Sequence, residues 1–107
     1  MKVTYRQAAS DDVVRQFRYY LVTLNLPDVA LRFRHALLRT VAMLRERPAV
    51  GARYRPAHAQ FRNLRSWPVM RFEAIRIYYL WDGDSVRIIR ILHGKRDVVA
   101  ILGKESL

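Results

Sequence analysis

The 107-residue chain has no cysteine, which excludes disulfides and thiolate metal sites. Acid is scarce too: nine Asp and Glu stand against 20 Lys and Arg, for a formal net charge of +11. From Arg53 to Arg71 there are five arginines and no acid at all. Long apolar runs are missing, and none approaches the roughly 20 residues needed to cross a bilayer. The opening stretch MKVTYRQAAS lacks the apolar segment of a secretion signal. His35, His58 and His93 are dispersed and show no ligand spacing, so no metal is expected. A Gly-rich phosphate loop and a nucleophile motif are also absent, so no cofactor is expected. These absences predict a cytosolic protein with no membrane association.

Half of the residues are apolar, enough to build a core, and the length suits a single domain over residues 1–107. All but three of the 20 basic residues are arginine. Arginine suits planar, bidentate contact with phosphate or carboxylate better than lysine does. A field of this sign draws polyanions, meaning nucleic acid, anionic membrane or an acidic protein, and predicts an anionic partner.

KVTYRQA alternates with the period of a half-buried strand. Ser10, followed by Asp11 and Asp12, has the character of an N-cap with acids in the first turn. Val13, Phe17, Tyr20, Leu21 and Leu24 then form a helical stripe. Asn25 and Pro27 break that helix and start a second, whose stripe is Ala30, Phe33, Leu37, Val41 and Leu44. Arg45, Arg47 and Pro48 mark its end. After the irregular GARYRPAHAQ come three strand candidates: FRNLRS, RFEAIRIYYLW and SVRIIRILH, the last two flanking a DGD turn. The expected fold is α+β in two layers: an N-terminal strand, an antiparallel two-helix hairpin and a three-stranded antiparallel sheet.

Strand alternation sends Ile75, Ile77, Tyr79 and Trp81 to one face and Arg76 and Tyr78 to the other. Across a two- or four-residue turn, Val86, Ile88 and Leu92 join the Ile75 face, which is expected to pack on the helices. Arg87, Ile89, Ile91 and His93 share the opposite face with Arg76 and Tyr78. That face is expected to be open to a partner, unless the C-terminal VVAILGKESL folds over it. Arg90 falls on the core face, with its guanidinium expected to snorkel out at the sheet margin. In ILHGKRD, Gly94 turns the chain after the strand, His93 orients the turn, and Asp97 caps backbone or pairs with Arg96.

The stretch LRSWPVMRFEAIRIYYLWDGDSVRIIRILHGKRDVVAIL resembles the C-terminal half of the RelE/ParE toxin superfamily. It is most similar to the ParE branch: Arg plus Pro, a strand ending in Tyr-Tyr, and a strand closing on His-Gly-x-Arg-Asp. The resemblance implies a toxin of a type II toxin–antitoxin operon, neutralised by a cognate acidic, ParD-like antitoxin in a hetero-oligomer. ParE-like toxins block DNA gyrase and so stop replication. RelE-like toxins instead cut messenger RNA on the ribosome, and a shared fold does not separate the two.

The RelE-type nuclease pattern, laid on this chain, places two basic positions at Phe61 and Asn63, which are not basic. Its two arginines fall at Arg76 and Arg96, and its tyrosine falls near Leu102. This favours a non-enzymatic ParE-like inhibitor over a ribosome-dependent endoribonuclease. In the latter case Arg76, Arg96 and His93 would be the catalytic set, with Arg62 and Arg65 flanking the missing basic positions. The residues expected to meet a partner are Arg62, Arg65, Arg76, Tyr78 and Arg87, together with Ile89, Ile91, His93 and Arg96. The antitoxin is expected to fold along the helical hairpin and the open sheet face. A plain nucleic-acid-binding module is the third reading, carried by charge alone.

Overall fold

Val3, half-buried in a strand of only four residues, needs a neighbour to be stable, and it finds one at the far end of the sequence. In a computed structural model, described over residues 1–54 and 61–104, β1 (Lys2–Tyr5) leads into α1 (Gln7–Arg18). A π-helical turn (Tyr19–Thr23) and a short link then reach α2 (Pro27–Glu46). A 3-10 turn (Pro48–Val50) precedes β2 (Ala52–Arg53). Then follow β3 (Arg65–Val69), β4 (Phe72–Trp81), β5 (Ser85–His93) and a short α3 (Val98–Gly103).

The predicted break between the helices is present: Asn25 takes a left-handed φ of 53° and Pro27 is the first residue of α2. All five residues of the predicted second stripe, Ala30, Phe33, Leu37, Val41 and Leu44, are buried. The start of α1 differs. It begins at Gln7, with Arg6 in the N-cap position and Ser10 already inside the helix. Asp12 therefore does not serve the helix dipole but is turned inward and buried.

Among the described residues the sheet has five strands in the order β1-β5-β4-β3-β2. It contains the expected three antiparallel strands as β3, β4 and β5 and extends them with β1 on one edge and β2 on the other. β1 runs parallel to β5, pairing Val3 with Val86, while the other neighbours are antiparallel. The first of the three strand candidates, FRNLRS, starts late, at Arg65. Phe61–Asn63 forms a tight turn, with Leu64 N–H donating to Phe61 O at 2.9 Å. Phe61 and Leu64, three residues apart, enter the same apolar cluster, which a strand would not allow.

Trp81 pairs with Val86 across the Asp82–Asp84 turn, so the predicted faces hold as far as Ile88. There a β-bulge intervenes: Tyr79 pairs with Ile88 and Tyr78 with Arg90, leaving Ile89 without a counterpart. Beyond it the predicted faces invert. Ile91 joins the helix-side core of Phe33, Leu37, Leu44, Ile75, Ile77 and Tyr79, whereas Leu92 joins the opposite cluster with Tyr78 and Ile89. His93, opposite Ile75, borders a hollow with Tyr20 and Phe72 on the helix side.

The bulge also gives Arg90 its role. Its guanidinium does not snorkel out but donates to both carboxylate oxygens of Asp12 in α1, Nε at 2.7 Å and Nη2 at 2.8 Å. The N–H of Ile91 donates to the same carboxylate at 2.9 Å, and Arg15 adds a contact at 3.0 Å. The Asp12 side chain is fully buried. Removing one member of such a set strands the others in low dielectric. Asp12→Ala is expected to cost about 3–5 kcal/mol in urea unfolding. A loss below about 1 kcal/mol, an ordinary surface value, would refute this role.

Candidate partner-binding surface

The sheet face expected to be open is closed. Asp97 accepts from Ala100 N–H at 3.1 Å and so caps α3, one of the roles expected of it. From there α3 lays Leu102, fully buried, onto Phe61, Leu64, Tyr78, Ile89 and Leu92. Tyr78, Ile89 and Ile91 are therefore inside the chain, the first two under α3 and Ile91 under the helices. A partner meets none of the three on this surface. The C-terminal apolar run buries more area by folding back than by staying in water.

The predicted cations have separate fates. Arg65 is a structural staple, Nη1 donating to Gly51 O at 2.8 Å and Ala49 O at 3.1 Å. Beside it Tyr79 Oη donates to Pro48 O at 2.7 Å and accepts from Gly51 N–H at 2.9 Å. Burial pushes the Tyr79 hydroxyl up, opposed by the Gly51 bond and the Arg65 charge. Arg76 donates to Ser66 Oγ at 3.0 Å on the α3 side. Arg62, Arg87 and Arg96 are exposed. His58 lies outside the described residues.

The nuclease set is not brought together. Arg76 and His93 lie on opposite faces of the sheet, and His93 Nδ1 accepts from Lys95 N–H at 3.1 Å, which orients the turn. Gly94 has no left-handed backbone; its N–H donates to Ala74 O at 2.6 Å. Phe61 and Leu102, at positions where the nuclease pattern has a base and a tyrosine, pack in one apolar cluster. Tyr78, a phenol of the same cluster, meets Tyr54 edge to face at 5.3 Å. Burial pushes its hydroxyl up, Tyr54 adds to this and Arg76 opposes it, so it is a poor base near neutral pH.

The helices carry what the sheet face does not. Leu31 and Leu38, seven residues apart on α2, are both more than half exposed, at 53% and 56%. A groove of about 270 Å³ runs between α2 and the start of α1, lined by Tyr5, Ser10, Val13, Arg34, Leu37 and Leu38. The π turn adds exposed Tyr19, Leu21 and Val22 at the tip, and Leu24 follows it, also exposed. Exposed apolar surface edged with arginine is what an amphipathic acidic helix would cover. Two aliphatic residues two turns apart were the available sequence signal. The predicted stripes do not contain Leu31 and Leu38, and of the first stripe Leu21 and Leu24 are exposed and do not face the core.

The family described as ParE toxin of type II toxin–antitoxin system, parDE, matches residues 3–98. A solved structure of the chromosomal ParDE TA system from P. aeruginosa shares the fold, with a TM-score of 0.68 and 22% identity. The match covers 87% of this chain and 95% of that one. No curated protein matches the chain.

The closed face makes a stability prediction. Leu102→Ala removes the anchor of α3 and is expected to cost about 2–5 kcal/mol. Chemical denaturation with Tyr54 and Tyr78 as near-UV reporters checks it, and an unchanged midpoint would mean that α3 does not seal the sheet.

Proposed function

This chain belongs to the ParE toxin family of type II toxin–antitoxin systems, and from that premise we propose that it inhibits DNA gyrase as a protein ligand, without catalysis of its own. The observation that carries the reading is the apolar plug of Phe61 and Leu102 where ribosome-dependent nucleases of the related branch need charged and phenolic groups. The separation of Arg76 from His93 by the thickness of the sheet supports it as well.

A cognate acidic, ParD-like antitoxin neutralises the toxin by folding its apolar side chains into the α1–α2 groove. Its carboxylates meet Arg34, which lines that groove. Ordering a flexible acidic segment there relieves self-repulsion in a chain of +11 and stabilises it by linkage. The complex is a hetero-oligomer built on antitoxin dimers.

Two measurements check this. Induction of the toxin alone should raise DNA-damage signalling and filamentation while translation continues, and purified toxin should trap gyrase on cleaved DNA. Immediate translational arrest with A-site mRNA cuts would overturn the gyrase reading. For the groove, Leu38→Glu should leave folding stability within about 0.5 kcal/mol. It should weaken antitoxin binding at least about tenfold, equivalent to 1.4 kcal/mol. Unchanged affinity in calorimetry would move the antitoxin to another face.

A further inference from the structure

The other side of α2 carries a second feature that the toxin–antitoxin reading does not use. Arg32 and Arg39 stand two turns apart on α2, about 10.5 Å along its axis. Across from them lies Arg71, in the turn between β3 and β4. Together with Val29, His35, Ala36, Met70 and Phe72 these arginines line a cleft of about 480 Å³. None of the three guanidinium groups forms an ion pair among the described residues. The neighbouring acid, Glu73, instead accepts from the Arg71 backbone N–H at 3.2 Å.

The cleft is rigidly built. Buried Thr40 donates to Ala36 O at 2.7 Å and accepts from Met70 N–H at 3.0 Å, which ties the turn to α2. Arg71 itself is held at a left-handed φ of 67°, where glycine or asparagine is the ordinary occupant. A long cation kept in a strained position, at the mouth of a cleft with two more cations opposite, points to a ligand with several negative charges.

We propose that this cleft seats the phosphodiester backbone of duplex DNA. Guanidinium forks on both walls match a row of phosphates, whereas a single carboxylate would engage only one of them. A duplex fits better than a single strand. Single-strand binding sites present aromatic faces for base stacking. Here the Phe72 ring is committed to Phe33 at 5.6 Å and Tyr20 at 5.8 Å, which leaves the small imidazole of His35 as the one open ring among the described residues of the cleft. The apolar floor then meets sugar edges, and contact is independent of sequence. This contact stands apart from the gyrase reading, since it needs only the purified chain and DNA.

Fluorescence anisotropy with a labelled duplex, at 50 to 200 mM salt, tests it. Arg32→Ala, Arg39→Ala and Arg71→Gly should each weaken binding several-fold and lower the salt slope by about 0.9. Lys104→Ala, an equal charge loss on exposed surface, should change affinity less than twofold. Arg71→Gly should also raise the melting temperature by relieving the left-handed strain, so that weaker binding is not a folding defect. Equal losses for Lys104→Ala would overturn the site in favour of bulk charge. Tighter binding to the single strand would overturn it too, as would unchanged affinity in the three cleft variants.

Discussion

The contact between Asp12 and Arg90 holds the two layers in register. One carboxylate on α1 receives both prongs of a guanidinium on β5, the N–H of the next residue and a second arginine. The N–H it satisfies belongs to Ile91, immediately beyond the bulge, so the helix and the irregularity in the strand complete each other. A buried ion pair adds little net stability over an apolar pair of the same size, but it tolerates only one arrangement of its partners. Such a constraint suits a sheet whose side chains change face halfway along a strand. Sliding β5 by one residue would separate Arg90 from Asp12 and turn Ile91 away from the helices.

The elements with strong periodicity were legible. The α2 stripe, the break at Asn25 and Pro27, and the DGD hairpin follow from local chemistry and appear where predicted. In that hairpin Asp82 accepts N–H bonds from Ser85 and Asp84, which hold its carboxyl below the usual range, while Gly83 takes φ +97°. What could not be read depends on partners distant in sequence. The parallel pairing of β1, the inversion after Ile89 and the inward turn of Asp12 are set by contacts across most of the chain. Alternation assumes an uninterrupted ladder, and a bulge breaks that assumption without leaving a mark in composition.

The sheet face expected to be open is covered for a related reason. Tyr78 and Ile89 were assigned correctly to the face away from the helices, but a face is open only if nothing else covers it. Six residues of α3 suffice to cover this one, because Leu102 packs in one buried cluster with Phe61 and Leu92. The arginines expected to act together then separate into a staple, a cross-strand contact and exposed charges. The family assignment came from the same strands, and it survives because it rests on residue order and element order, which burial does not alter.

The pairing of β1 with β5 also fixes when the molecule can exist. Lys2 lies opposite Ser85 and Tyr5 opposite Ile88, so β1 leaves the ribosome long before the strand it pairs with. A growing chain that has finished both helices still lacks the strand that β1 pairs with and the arginine that Asp12 requires. Synthesis at about 5–20 residues per second imposes a delay of several seconds between the two. Through that interval α1 and α2 present apolar surface with no sheet beneath it. The sheet is thus closed only once β5 has been made, since β1 and Asp12 both find their partners there.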